Sequence, residues 1–226
     1  MRSVARELSG QRLPILVFLV VLLAGAGGFV WTARPAADAA ASMPATSLVA
    51  VPATGEVPAL PAAGTPADGP VVPGRIAVPA IGVDTAVESR GTVRYENPFT
   101  GQTVDGYGVP ESMRTTSWWS DGPAPGSGQM AVLLGHAGAD GGAVFDRLPE
   151  LAPGDEVLLV DAGGAYLRLE VLGEPVTGLG KATSALADTL NGHPADADLA
   201  LVTCGGEYDE AAGASEDNTV VFARIG

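Results

Sequence analysis

The sequence predicts a mainly β domain, closed or nearly closed into a barrel, preceded by a transmembrane helix and a disordered linker. Three observations lead there. Aromatic residues make up 5% of the chain, while Gly and Pro number 31 and 18; so turn-rich a composition points away from a helical bundle. Short apolar runs recur between Gly/Pro turns from Val71 to the C-terminus, as in all-β barrels. Residues 13–31 form a different kind of run, uncharged and mostly apolar.

That N-terminal run is long enough to span roughly 28 Å as a helix, close to the thickness of a bilayer core. Arg2, Arg6 and Arg12 precede it against a single Glu7, which keeps residues 1–12 cytoplasmic and places the C-terminal part outside. The competing assignment is a cleaved signal peptide, cut near Ala36–Ala40. The run is longer than a usual signal-peptide core, which favours a retained anchor. Residues 32–70 are rich in Ala, Pro, Gly and Thr with almost no charge. This composition cannot bury a core and reads as a linker.

From Val71 the texture changes. Arg75–Val78 and Ile81–Val87 are strand-like. Met130–Leu134 is nearly all apolar, as in a strand buried on both faces. Glu156–Val160 and Ala165–Leu172 flank Asp161-Ala162-Gly163-Gly164 and read as a hairpin. Leu199–Thr203 and Thr219–Ile225 complete the set. Short helical turns are expected at Thr116–Ser120 and Ala143–Leu148, and Pro175–Asp198 reads as a connecting loop with Leu179, Leu186 and Leu190 as apolar contacts.

The chain carries 12 basic and 26 acidic residues, net charge -14. All of that net charge falls after Val71, where 8 basic face 22 acidic residues. No basic patch is available to neutralise phosphates, so no nucleic-acid partner is expected. One cysteine excludes an internal disulfide. Only His136, His193 and Cys204 could supply the usual zinc donors, so neither a metal nor another cofactor is expected.

The chemistry concentrates at two strand ends. Cys204 closes the apolar run Leu199–Thr203 and precedes Gly205-Gly206, where glycines permit close backbone approach. His136 follows Val132-Leu133-Leu134-Gly135 in the same way. A thiol needs a nearby cation to stabilise its anion, or a base to take its proton. Two such residues at the ends of two buried strands meet that need if the strands are neighbours. His193, in Asn191-Gly192-His193-Pro194, reads as a surface-loop histidine.

At this point the residues resemble a known family. Leu201-Val202-Thr203-Cys204 and Gly135-His136 look like the active-site strands of sortases, the bacterial cysteine transpeptidases. Arg75–Asp84 (RIAVPAIGVD) resembles the family's first strands. Trp118-Trp119 with Gly122-Pro123-Ala124-Pro125-Gly126 resembles the segment ahead of the histidine strand. Phe145-Asp146-Arg147-Leu148 and Leu151-Ala152-Pro153-Gly154-Asp155 resemble the helix and turn after it. Cys204-Gly205-Gly206 and Asp217-Asn218 are similar to the actinobacterial class F branch. The resemblance runs in order over residues 71–226.

It implies a sortase-type closed β-barrel of about eight strands with short helices, and a two-step reaction. Cys204 would attack an LPXTG-like sorting signal of a secreted protein, forming a thioester. An amine of a peptidoglycan precursor would then release the protein onto the wall, with His136 moving the protons. Thr203 and Gly205, flanking the nucleophile, are expected to touch substrate. The sequence departs from the family at one place. Asn218 stands where an arginine facing the cysteine is expected, and the adjacent register gives Glu216. Asn218 could donate a hydrogen bond to the oxyanion through its amide. Arg224, about 20 Å further along extended chain, belongs to the other end of the strand, whereas Arg114 could reach in from its loop. The departure motivates an alternative, a catalytically impaired sortase-fold protein that binds sorting signals or wall partners without turnover. An L,D-transpeptidase, which also uses Cys and His, is disfavoured because its S-x-G-C-I/V-R pattern is missing around Cys204.

Overall fold

The computed structural model of the chain describes residues 62–138 and 141–226. The expected cytoplasmic tail, membrane anchor and most of the linker lie outside the described residues. Among those described, no helix is long and apolar enough to cross a membrane.

Twelve strands follow one another: β1 (Thr65–Pro66), β2 (Pro73–Val78), β3 (Val83–Arg90), β4 (Thr92–Glu96), β5 (Thr103–Tyr107), β6 (Thr116–Trp119), β7 (Ala131–Gly135), β8 (Glu156–Asp161), β9 (Ala165–Val171), β10 (Val176–Gly180), β11 (Leu199–Asp209) and β12 (Ala214–Ile225). One helix, α1 (Ala185–Asn191), precedes β11, and single 3₁₀ turns sit at Pro79–Ile81 and Leu148–Glu150. The main sheet runs β9-β8-β2-β3-β6-β7-β11-β12, and β12 pairs back onto β9. These eight strands therefore close a barrel, which removes the sheet edges that an open array would expose. β1 extends the sheet from β9 and β10 extends it from β12. β1 belongs to the end of the segment read as linker. It pairs in parallel with Ala165 and Tyr166 of β9, so the strand pairing begins upstream of Val71.

Alternation along the strands divides the wall into two faces. Ile76, Leu133, Leu159, Leu169, Leu201 and Val221 point into the barrel and form one apolar cluster. Leu134, Ala200, Val202, Cys204, Val220 and Phe222 point outward into a second cluster. That outer face is not solvated, because Leu186 and Leu190 of α1, Leu179 of β10 and Tyr107 of β5 cover it. The nearly continuous apolar sequences of β7 and β11 follow from this burial on both faces.

Two local expectations are corrected, and one further hairpin is added. Thr116–Ser120 is not a helical turn: Thr116–Trp119 is strand β6, paired with β3 and β7. Four residues give too short a period to separate the two states, and the barrel needs a strand there to join β3 to β7. Residues 92–107, for which the sequence analysis named no element, form a hairpin, β4–β5, outside the barrel sheet. The loop Pro175–Asp198 contains β10 and α1, and Leu179, Leu186 and Leu190 are core residues within it. By contrast, Ala143–Leu148 is a turn leading into the 3₁₀ segment at Leu148.

Candidate active site

β7 and β11 are parallel neighbours, with Leu199 facing Ala131 and Val202 facing Leu134. Two residues past that last pair come His136 and Cys204. Cys204, two positions beyond Val202, belongs to the outer face of the wall, and His136 is the first residue after β7. On the other side of β11, Cys204 faces Asn218 of β12, and Asn218 in turn faces Leu179 of β10. The two strand ends singled out by sequence are thus adjacent in the sheet. Cys204, His136 and Asn218 are all buried.

The register is held by short-range devices that the sequence motifs encode. Thr203 points to the other face, and its hydroxyl donates to the Gly135 carbonyl at 2.9 Å. That bond ties β11 to the last residue of β7, giving Thr203 a positioning task. Gly135 has no room for a side chain, since a Cβ there would lie 2.3 Å from the ring of fully buried Phe145. Asp146 then closes the loop beyond His136. Its carboxylate accepts from Gly138 N at 2.7 Å and from Ala143 N at 2.8 Å. The glycines after Cys204 also have a local cause. A Cβ on Gly205 would lie 2.9 Å from Thr219 Oγ1 on β12, and Gly206 adopts φ +73° where β11 bulges. The partner strand requires them, independently of any substrate.

His136 is anchored through Nε2, 2.9 Å from the Pro110 carbonyl. A carbonyl only accepts, so Nε2 carries a hydrogen and Nδ1 is the nitrogen left for proton exchange. Tyr107 packs edge-on against Trp119, ring centres 5.0 Å apart. Burial pushes its phenol up to about 12, so it stays protonated at neutral pH and does not act as a base there. Asn218 donates through Nδ2 to the Leu179 carbonyl, at 3.5 Å, while its buried Oδ1 has no hydrogen-bond donor.

One residue that the sequence reading passed over lies in this site. Lys181 follows β10 directly, is completely buried, and donates through Nζ to Cys204 Sγ at 3.2 Å. Two signals were available. Lys181 is the single lysine among 12 basic residues, and it directly follows a short apolar segment that turns out to be a strand. Neither signal reveals a site while Pro175–Asp198 reads as a connecting loop. The arginines considered from sequence lie elsewhere. Arg224 sits near the C-terminal end of β12, in register with Glu170 of β9 and near Asp196. Arg114 is exposed and lines a surface cavity of about 630 Å³ with Asp84 and Arg147. His193 bonds the Pro194 carbonyl in its own loop through Nδ1, at 2.8 Å.

Residues 76–225 match the family model of the sortase domain. Among solved structures, the chain is similar to a lid mutant of sortase A from Corynebacterium diphtheriae, with TM-score 0.47 and 19% identity over 71% of this chain and 72% of that one. It is also similar to sortase C-1 from Actinomyces oris, with TM-score 0.46 and 21% identity over 70% and 75%. For sortase A from Listeria monocytogenes the values are 0.45 and 18% over 69% and 88%. A comparison with curated proteins found no match.

Proposed function

The chain belongs to the sortase family of cysteine transpeptidases, and from that premise we propose a membrane-anchored enzyme that joins secreted proteins to the cell wall. Its substrates are proteins with an LPXTG-like sorting signal, and its acceptor is an amine of a peptidoglycan precursor. Residues 13–31 supply the anchor, and the barrel works on the outer side of the membrane.

The observation that carries this reading is the parallel pairing of β7 and β11, since His136 follows the end of one and Cys204 stands just past the paired residues of the other. Cys204 is the nucleophile. Its sulfur adds to the carbonyl carbon of the scissile bond, and a thioester replaces the amide. His136 gives a proton to the departing amine and takes one from the incoming amine. Holding Nε2 on Pro110 leaves one ring nitrogen for both transfers. Asn218 lines the same site from β12. Thr203 fixes the nucleophile strand through Gly135, and Gly205 presents main chain next to the sulfur, where a peptide would pass.

The test uses the full chain in detergent with a set of LPXTG-like peptides and small amines. Mass spectrometry should detect an acyl adduct on Cys204 and a transpeptidation product, and Cys204→Ala should abolish both. A peptide that binds without any adduct, with every acceptor tried, would favour the non-catalytic binding protein instead. Unchanged turnover in Cys204→Ala would remove the nucleophile assignment.

A further inference from the structure

Lys181 is the only lysine in the chain, and Cys204 is the only cysteine. The fold brings these two side chains into direct contact at 3.2 Å. The lysine's main chain is pinned on both sides. Its N–H donates to the Glu216 carbonyl on β12 at 2.8 Å, and its carbonyl accepts from Nδ2 of buried Asn97 at 3.0 Å. Among the described residues no carboxylate lies within 4.0 Å of Nζ. A buried ammonium without a counter-charge is costly. The sulfur of Cys204 is the ionisable atom bonded to it. Asn218, at the position where the family's cation is expected, cannot fill the role. Its amide is neutral, one of its hydrogens is turned to the Leu179 carbonyl, and its buried Oδ1 is an acceptor, so it supplies no positive charge.

We propose that Lys181 is a catalytic residue of this enzyme: its ammonium is the counter-charge of the Cys204 thiolate and then faces the oxyanion formed on the attacked carbonyl. It does from β10 what an arginine on β12 would do. The proposal rests on the transpeptidase reading above. Before the cycle the thiol proton passes to Nζ, giving thiolate and ammonium. The thiolate sulfur then bonds the carbonyl carbon, and the π pair moves onto oxygen. His136 enters the cycle having taken a proton from water on Nδ1, so when collapse breaks the C–N bond the leaving nitrogen takes that proton from the imidazolium. The incoming amine adds to the thioester carbon, returns a proton to His136, and expels the thiolate. Lys181 stays protonated throughout, so its charge is present at both tetrahedral intermediates.

The experiment is alkylation of the full chain in detergent by iodoacetamide across pH. With one cysteine, every label reports Cys204. The midpoint of the rate against pH follows the thiolate fraction and does not depend on how accessible the sulfur is. Wild type should show a midpoint well below the ~8.5 of an unperturbed thiol. Lys181→Met, which fills similar volume without charge, should raise the midpoint by about one unit or more, and cut thioester formation at neutral pH about tenfold or more. Lys181→Arg should keep most of the low midpoint. A wild-type midpoint at or above that of a free thiol overturns the proposal even if Lys181→Met does not fold. So does a folded Lys181→Met whose profile superimposes on wild type. If the midpoint moves as expected but wild type forms no thioester with any sorting peptide, the transpeptidase reading fails while the lysine–thiolate pair stands.

Discussion

Two cations flank β12, and their surroundings are opposite. Arg224, near the strand's C-terminal end, has a side chain 50% exposed between Glu170 at 3.9 Å and Asp196 at 3.4 Å. Lys181, at the other end, is fully buried against a single sulfur. In a chain of net charge -14, a surface cation finds carboxylates on every side and water screens what remains. A buried one finds neither screening nor competition, so its field acts on the one group beside it. The comparison teaches that the number of positive charges near a strand says little about catalysis; the medium around each decides.

The sharpest way to break the comparison is to place a second cation at the buried end of β12, the closed end beside Lys181, as against the open end at half-exposed Arg224. Asn218→Arg restores the residue type expected there, but beside an ammonium already present and with no carboxylate to receive it. We expect a loss of about 3–5 kcal/mol in stability, the order found when a buried charge is left uncompensated, read as a shift in urea midpoint. The same substitution in a Lys181→Met background should recover much of that loss, because one cation then replaces another. Equal stabilities for the single and double variants would mean that the closed end tolerates charge as freely as the open one.

The barrel and the two neighbouring strands that lead to His136 and Cys204 were legible in the sequence because they depend on local pattern, while the count of about eight strands came from the family resemblance. Apolar runs mark walls buried on both faces, and Gly135-His136 and Thr203-Cys204 fall at their ends. Lys181 was not legible for the opposite reason. Its meaning comes from the packing of β10 against β12, an edge strand of five residues containing two glycines, which has no alternation to reveal it. Thr203 and Gly205-Gly206 were noticed, but their stereochemical causes lie on neighbouring strands. The β4–β5 hairpin, which lends Asn97 to Lys181, alternates in Thr92–Glu96, but that local pattern does not reveal the distant main chain that Asn97 reaches.

A second contrast between the ends concerns packing. The closed end depends on close approach at Gly135, whose absent side chain makes room for Phe145. Gly135→Ala must displace that ring or bend β7 just before His136. Overpacking of this kind costs about 1–3 kcal/mol. The thermal midpoint should fall, and turnover with a sorting peptide should fall further than the fraction unfolded accounts for, since His136 moves with its strand. A variant that melts lower yet keeps full turnover per folded molecule would separate the packing of Phe145 from the placement of the imidazole.

The smallest effect is expected at the open end. Arg224→Gln removes a cation from the same strand that passes the active site, and it deletes both of that residue's ion pairs. Each pair is exposed and longer than an ideal contact, at 3.4 and 3.9 Å, so each adds little beyond what water already supplies. Stability should change by no more than about 0.5 kcal/mol, and by less in high salt, where such pairs are screened. Turnover and the pH profile of Cys204 alkylation should match wild type, because about six residues of extended strand, roughly 20 Å, separate Arg224 from Asn218. A raised alkylation midpoint in Arg224→Gln would mean that the thiolate responds to the summed field of the barrel and not to the one ammonium in contact with it. That result, set beside an unchanged urea midpoint, would transfer the electrostatic role from Lys181 to the fold's long-range charge distribution.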